Sequence, residues 1–234
     1  IRWCEAPESD PDTARQKRLL EMLFGLLYGL DRASEFEGAM ATWRAHSTLR
    51  AEVGTLCAHL RQFSTLLERH LHLPGDVPLT GHARYRAEEL GIAYARRSKA
   101  GRFYAPQSGV EFVPDVQHDL LLVTLDKAGK SKLPHLQYRD FALSSTEFHW
   151  QSQASTALDS AKGRRHVDHA SQGVTPVLCV REQPRDERGI ALPYRLLGPA
   201  SCLRHEGERP ISIVWKLEVP MPMEIVQEAR AAIA

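Results

Sequence analysis

The stretch Phe148-His-Trp-Gln-Ser-Gln153 carries the densest set of recognition-type side chains in the chain. Read as a strand, it places Phe148, Trp150 and Ser152 on one face and His149, Gln151 and Gln153 on the other. Imidazole and amide groups offer both donors and acceptors, the set that reads base edges or bonds phosphate oxygens. Trp150, if exposed, gives a ring on which an unpaired or flipped base can stack. If enclosed, Phe148 and Trp150 are simply core aromatics. A basic cluster follows, Lys162-Gly-Arg-Arg-His-Val-Asp-His169, and reads as a loop. Lys162, Arg164, Arg165 and His166 there suit phosphate contact, against the plainer reading of a solvated charged loop. A third set, Arg204, His205 and Arg209, flanks Gly207 in a charged turn that can aim all three at a ligand. Glu206 and Glu208 oppose a phosphate role and can instead pair with the arginines and brace the loop. Further basic patches are Arg96, Arg97, Lys99 and Arg102, and Lys127, Lys130 and Lys132, which read equally as a track for a phosphate backbone or as solvated surface.

Other chemistries find less support. His166 and His169 are three apart, the spacing that puts two ligands on one helix face, but Asp168 is their only close carboxylate. Cys4, Cys57, Cys179 and Cys202 are too dispersed for a zinc knuckle, and Cys57 and Cys179 sit in apolar runs that suggest buried thiols. No metal and no cofactor is expected. A nuclease would need two carboxylates and a lysine on adjacent strands. Asp115, Asp119, Asp126 and Lys127 are the nearest set, without an Asp/Glu-x-Lys spacing. Neither a Gly-x-Ser-x-Gly elbow nor a phosphate-cradling Gly-x-x-x-x-Gly-Lys-Ser/Thr occurs. The expectation is a binding module without catalysis of its own.

The elements that must hold these residues change character along the chain. Leu19, Leu20, Met22, Leu23, Phe24, Leu26, Leu27 and Leu30 predict a helix from Ala14 to Leu30 that is buried on most sides. Ser34 and Glu37 have capping-box spacing for a second helix carrying Phe36, Met40 and Trp43. Leu49, Val53, Leu56, Leu60, Phe63, Leu67 and Leu71 recur at three and four for a third, from Ser47 to Leu71. Pro74-Gly-Asp-Val-Pro78 ends it and marks the expected boundary, giving a helical bundle over 1–78 and a β-rich domain over 79–234.

One short helix is expected between Ala83 and Tyr94. Strands follow around Gly101–Pro106, Val110–Pro114, Asp119–Thr124, Thr175–Arg181, Tyr194–Leu197 and Ile211–Leu217, with a terminal helix from Glu224. Ile211, Ile213, Trp215 and Leu217 alternate with Ser212, Val214 and Lys216, so one face of that strand is apolar. Without βαβ alternation a parallel sheet is not expected. The fold class read from this pattern is α+β, an N-terminal helical bundle followed by a β-rich, partly open barrel-like domain.

The 234 residues, 43% apolar and 25% charged with net charge +1, are enough for one large or two small self-supporting domains. Near-neutrality argues against a generic polyanion binder and leaves room for a local basic face. Ile1 in place of Met suggests a piece of a longer polypeptide. The longest apolar run is far short of a membrane helix, and neither a signal peptide nor a membrane partner is expected, so the chain reads as cytoplasmic.

Several linked motifs carry a resemblance. They are His82-Ala-Arg-Tyr85, Asp119-Leu-Leu-Leu-Val-Thr-Leu-Asp-Lys127, Tyr138-Arg-Asp-Phe-Ala-Leu-Ser144, Phe148–Gln153, Leu196-Leu-Gly-Pro199, His205-Glu-Gly-Glu-Arg-Pro210 and Trp215-Lys-Leu217. In this order they resemble a domain of unknown function that ends many bacterial superfamily II (DEAD/DEAH-type) helicases of restriction and phage-defence type. Some of those helicases carry a phospholipase-D-like nuclease at the N-terminus. The resemblance runs from about His82 to Pro222. It implies a helicase motor upstream in the same polypeptide as a partner, and DNA as the ligand. A structural or protein-interaction module of the same machine is the alternative, and a nuclease domain a third reading.

Overall fold

The computed structural model describes residues 14–33, 35–63, 73–107, 109–125 and 140–231. They form two compact units, and the chain passes between them more than once. Of the described residues, one comprises 14–33, 35–63, 76–79 and 87–106, the other 73–75, 80–86, 107, 109–125 and 140–231.

The first unit is helical. α1 (Ala14–Tyr28) ends where Gly29 takes φ +90°, and a single turn, α2 (Leu30–Ala33), follows. A positive φ there costs glycine nothing and breaks the helical ladder. α3 (Phe36–Ala45) buries Phe36, Met40 and Trp43, the three residues its spacing selected. Phe36 meets Phe24 of α1 edge-on at 6.1 Å between ring centroids, and with Met40 they form a small apolar cluster. α4 covers Ser47–Phe63; Leu67 and Leu71 of the expected longer helix lie outside the described residues, as does Ser34 of the expected capping box.

α1 departs from the expectation of a helix buried on most sides. Leu19, Leu26 and Leu27 are exposed, while Glu21, Met22 and Phe24 are enclosed. Short helices bury one stripe each, so apolar residues off that stripe stay outside. Glu21 is tolerated inside because Arg18 and Arg97 reach its carboxylate at 2.6 and 3.4 Å. The short helix expected between Ala83 and Tyr94 is α5 (Ala87–Ala93). Its Gly91 lies against the Tyr104 carbonyl, where a Cβ would stand 2.1 Å from the oxygen.

The second unit is a sheet with strand order β2-β3-β6-β7-β8-β5-β4, and β1 pairs with β7 beside that path. The strands are β1 (Arg84–Tyr85), β2 (Val110–Val113), β3 (His118–Thr124), β4 (Phe141–Ala142), β5 (Glu147–Gln151), β6 (Thr175–Arg181), β7 (Tyr194–Glu206) and β8 (Ser212–Leu217). Two helices accompany them, α6 (Ala161–Val167) and α7 (Met223–Ala231). The class is α+β as expected. The sheet, however, is open and not a barrel, because its path runs from β2 to β4 without those two pairing.

Nor is the sheet wholly antiparallel, since β3 and β6 run parallel from His118↔Thr175 to Thr124↔Arg181. The connection between them carries β4, β5 and α6, a crossover long enough to bring the chain back in the same direction. It lacks the regular βαβ rhythm by which a parallel pair is recognised in sequence.

β7 spans 13 residues and serves both halves of the sheet. Val177–Val180 of β6 pair with its first half, up to Pro199, and β8 pairs with Ala200–Glu206. Between Leu178↔Gly198 and Cys179↔Leu196 one extra residue, Leu197, forms a bulge, and Gly198 sits at φ +103°. Bulges bend a strand. The bend lets Leu121, Leu178 and Val180 from one half share a core with Phe148, Trp150, Ile213 and Trp215 from the other. Ile211, Ile213, Trp215 and Leu217 are all enclosed, as their alternation predicts. Cys179 is enclosed too, and burial pushes its thiol up to about 12, whereas Cys57 is only half-buried, against expectation.

His118 opens β3 with no exposed surface, and burial lowers its pKa from 6.5 to about 4. The unfolded chain therefore takes up this proton near the ordinary histidine value, and the folded chain only near the lowered one. The stability that the neutral ring supplies is fully present above about pH 6.5 and is lost as pH falls towards 4, to a total of about 3 kcal/mol. Urea unfolding between pH 7 and pH 4 is expected to show this decline, and His118→Gln to remove that share of it. A decline of equal size in the variant would assign the acid sensitivity to other groups.

Candidate functional site

The alternation read in Phe148–Gln153 holds. Phe148, Trp150 and Ser152 are buried, and His149, Gln151 and Gln153 are partly open to solvent. Antiparallel pairing with β8 fixes this orientation through Phe148↔Trp215, His149↔Val214 and Gln151↔Ser212. Ser152 extends the ladder, its N–H donating to the Ile211 carbonyl while its hydroxyl accepts the Ile211 N–H, both at 2.9 Å.

Trp150 is 5% exposed and lies edge-on to His166 at 5.3 Å and tilted against Trp215 at 6.1 Å. It is a core residue and not the exposed stacking platform, and its small open surface lines a concavity with Gln151 and Gln153. The strand pattern placed it on the inner face; only the packing of α6 and β8 shows that this face is closed.

The Lys162–His169 segment is not a loop. Ser160 caps α6 by accepting from the Gly163 N–H at 3.0 Å, and His166 and Gly163 face inward. Gly163 has no room for a side chain, since a Cβ there would stand 2.1 Å from the Ala157 carbonyl oxygen. The helix divides its cations. Arg164 is exposed. Arg165 reaches Asp119 at 3.3 Å and lies over the Phe112 ring at 4.3 Å. Phe112 and Asp119 are cross-strand partners on β2 and β3, so both present the same face to this guanidinium.

His166 Nδ1 stands 2.8 Å from the same Asp119 oxygen, both side chains having no exposed surface, without the alignment of a regular hydrogen bond. Lys162 donates to Gln153 Oε1 at 2.7 Å, and burial lowers its pKa although Asp119 opposes that. Asp119 thus ties α6 to the sheet, and enclosed as it is it has no surface from which to act on a substrate. Asp126 and Lys127 of the nuclease alternative lie outside the described residues, with Lys130 and Lys132.

His169, just beyond α6, is also occupied. Its Nδ1 lies 3.1 Å from the Val174 carbonyl and its Nε2 accepts the Cys202 N–H at 3.0 Å. These partners occupy both ring nitrogens and leave no lone pair for a metal. Among the described residues no group of three or more His, Cys, Asp or Glu side chains is arranged to hold a metal ion.

The outward face of the β5-β8-β7 half-sheet is where separated site residues meet. Pairing aligns His149 with Val214 and Val214 with Arg204, and Gln151 with Ser212 and Ser212 with Glu206. A groove of about 160 Å³ there is lined by His149, Arg204, His205 and Glu206, with Leu143 and Ser212 among its walls. The His149 ring stacks on Phe141 of β4 at 4.9 Å and 24°. Arg204, His205 and Lys216 are exposed on the same half-sheet, Lys216 opposite Glu147 in register. Phe141 and Lys216 were not selected from sequence; Lys216 is visible as an outward position of a well-marked strand, but the two-residue β4 has no period to betray Phe141. Arg209 lies apart from the groove lining and donates to the Ala154 carbonyl at 3.2 Å, bracing the turn.

Two substitutions separate core from surface here. Asp119→Ala leaves Arg165 and His166 without their carboxylate and is expected to cost about 3–5 kcal/mol in urea unfolding. Trp150→Ala is expected to cost about as much, by truncating an enclosed aromatic. Stability unchanged in either would show that α6 is held by other means.

Residues 82–229 match the family model described as a domain of unknown function (DUF3427). No curated protein gives a significant match. The matched span takes in every strand of the second unit, the half-sheet groove and most of α7, and it is more than half of the chain. The chain belongs to the DUF3427 family of domains of unknown function.

Proposed function

We propose that this domain recognises DNA, and that it does so through the outward face of the β5-β8-β7 half-sheet. The observation that carries this reading is the groove itself. His149 and the neighbouring Arg204 and His205, far from it in sequence, line one concavity, with His149 and Arg204 brought to the same face through Val214. The Phe141–His149 stack beside it is an aromatic surface of the kind on which unpaired bases lie, and Arg204 and Lys216 offer charge to the backbone. The preferred ligand is accordingly a single strand or a duplex with an unpaired base. Glu206 and Glu147 on the same face repel a polyanion placed indiscriminately, so recognition depends on register and not on bulk charge.

In this reading the phosphate-contacting set shifts from the one read in sequence. Arg164, Arg204 and His205 stay available, whereas Lys162, Arg165 and His166 are engaged within the domain. The domain acts as a selector without catalysis of its own, and the resemblance to the terminal domain of restriction and phage-defence helicases supplies the partner, a motor upstream in the same polypeptide. A protein-interaction role has one observation in its favour, confined to the helical unit. Leu19, Leu26 and Leu27 of α1 and Leu56 and Leu60 of α4 are exposed, more large apolar side chains than a helical surface usually leaves in water.

Binding of fluorescent single-stranded and duplex DNA across salt tests the proposal. Arg204→Ala with Lys216→Ala is expected to weaken binding and reduce the log–log salt slope by roughly two. His149→Ala is expected to cost about 1–3 kcal/mol of affinity with the slope nearly unchanged, as for a lost stacking partner. Affinity and slope unaltered in both folded variants would remove DNA from this face and favour the protein-partner reading.

A further inference from the structure

A second polar concavity lies elsewhere in the β-rich unit, at the start of β7. It has a volume of about 100 Å³ and brings three arginines together: Arg84 of β1, Arg181 of β6 and Arg195 of β7. Strand pairing places two of them, Arg84 and Arg195, on one face of the sheet. β1 is held to β7 by the His82 N–H donating to the Leu196 carbonyl at 2.8 Å and the Leu196 N–H donating to the Ala83 carbonyl at 2.9 Å. That register sets Arg84 directly opposite Arg195. On the other side of β7, Arg195 is paired with Val180, the residue before Arg181.

Like charges directly opposite one another on paired strands destabilise a sheet. Glu182 is the carboxylate among the lining residues, beside the three arginines. Val180 and Ile225 give the pocket an apolar lining, against which an anion feels the guanidiniums more strongly than in water. Two of the arginines are already oriented. Arg181 donates to the Thr124 hydroxyl at 3.0 Å and lies over the Tyr194 ring at 4.3 Å, and Arg195 donates to the His82 carbonyl at 3.3 Å.

We propose that this pocket binds a phosphate group. Planar guanidinium forks in one concavity match the several oxygens of a phosphate monoester better than a single carboxylate. The volume admits the headgroup and leaves the remainder of the ligand outside. The ligand is either the phosphorylated end of a nucleic acid or a free phosphate compound, with the same chemistry inside the pocket. The site stands independently of the half-sheet groove and shares no lining residue with it.

Calorimetric titration of the full chain with inorganic phosphate at constant ionic strength tests the site. Saturable binding is expected in the wild type. Arg84→Gln, at an exposed position, is expected to weaken it at least about 10-fold, the loss of one charge-assisted hydrogen bond. Absence of saturable binding in the wild type, or equal affinity in folded Arg84→Gln, would overturn the site.

A second comparison identifies the source. Tighter binding of a 5′-phosphorylated oligonucleotide than of its 5′-hydroxyl counterpart, with the difference lost in Arg84→Gln, assigns the pocket to nucleic-acid ends. Equal binding of the two oligonucleotides alongside saturable inorganic phosphate assigns it to a free phosphate compound. Because the phosphate titration contains no DNA, failure of the half-sheet reading and failure of this site are separately visible.

Discussion

The β-rich unit depends on one bent strand. β7 pairs with β6 over its first half and with β8 over its second, and the Leu197 bulge with Gly198 at φ +103° turns the strand between the two. Without the turn, the apolar faces of the two half-sheets would each need separate cover. With it, they close over one core containing Phe148, Trp150, Leu178, Ile213 and Trp215. The same strand carries Arg195 near one end and Arg204 and His205 near the other. Its geometry therefore sets both the three-arginine pocket and the half-sheet groove.

Helix α6 is the second constraint. It is held to β3 by Arg165 and His166, which converge on the enclosed Asp119. A carboxylate removed from water is tolerable only with such partners. The consequence is a division of labour among neighbouring cations in the sequence. Arg164 faces solvent, whereas Arg165 and His166 maintain the fold. A basic run in a sequence is thus not a basic surface until the helix phase and its neighbours are known.

Lys162 illustrates the same point. Its position in the cluster suggests phosphate contact, but its ammonium is bonded to Gln153, and burial lowers its pKa. The exposed charge available to a ligand instead comes from strands, through Arg204 and Lys216 on one half-sheet and Arg84 at the beginning of β7's partner strand. Positions of this kind are spread along the chain and reach one surface only through strand pairing.

Local pattern alone determined much of this protein. The helix through Phe36, Met40 and Trp43, the strand at Ser212–Leu217 and the two-faced character of Phe148–Gln153 follow from the period of side-chain direction, and the strands at His118–Thr124 and Thr175–Arg181 from continuous apolar runs, neither of which needs a partner to be defined. Tertiary structure decided the rest. A crossover through β4, β5 and α6 made β3 and β6 parallel, a bulge no pattern announces bent β7, and the sheet stayed open because β2 and β4 do not pair. Which aromatic is enclosed, which arginine is tied to Asp119, and which cations share a pocket depend on pairing between segments tens of residues apart. A one-dimensional pattern records the direction of each side chain along its own element; the residue that will stand opposite it is chosen only when the strands align.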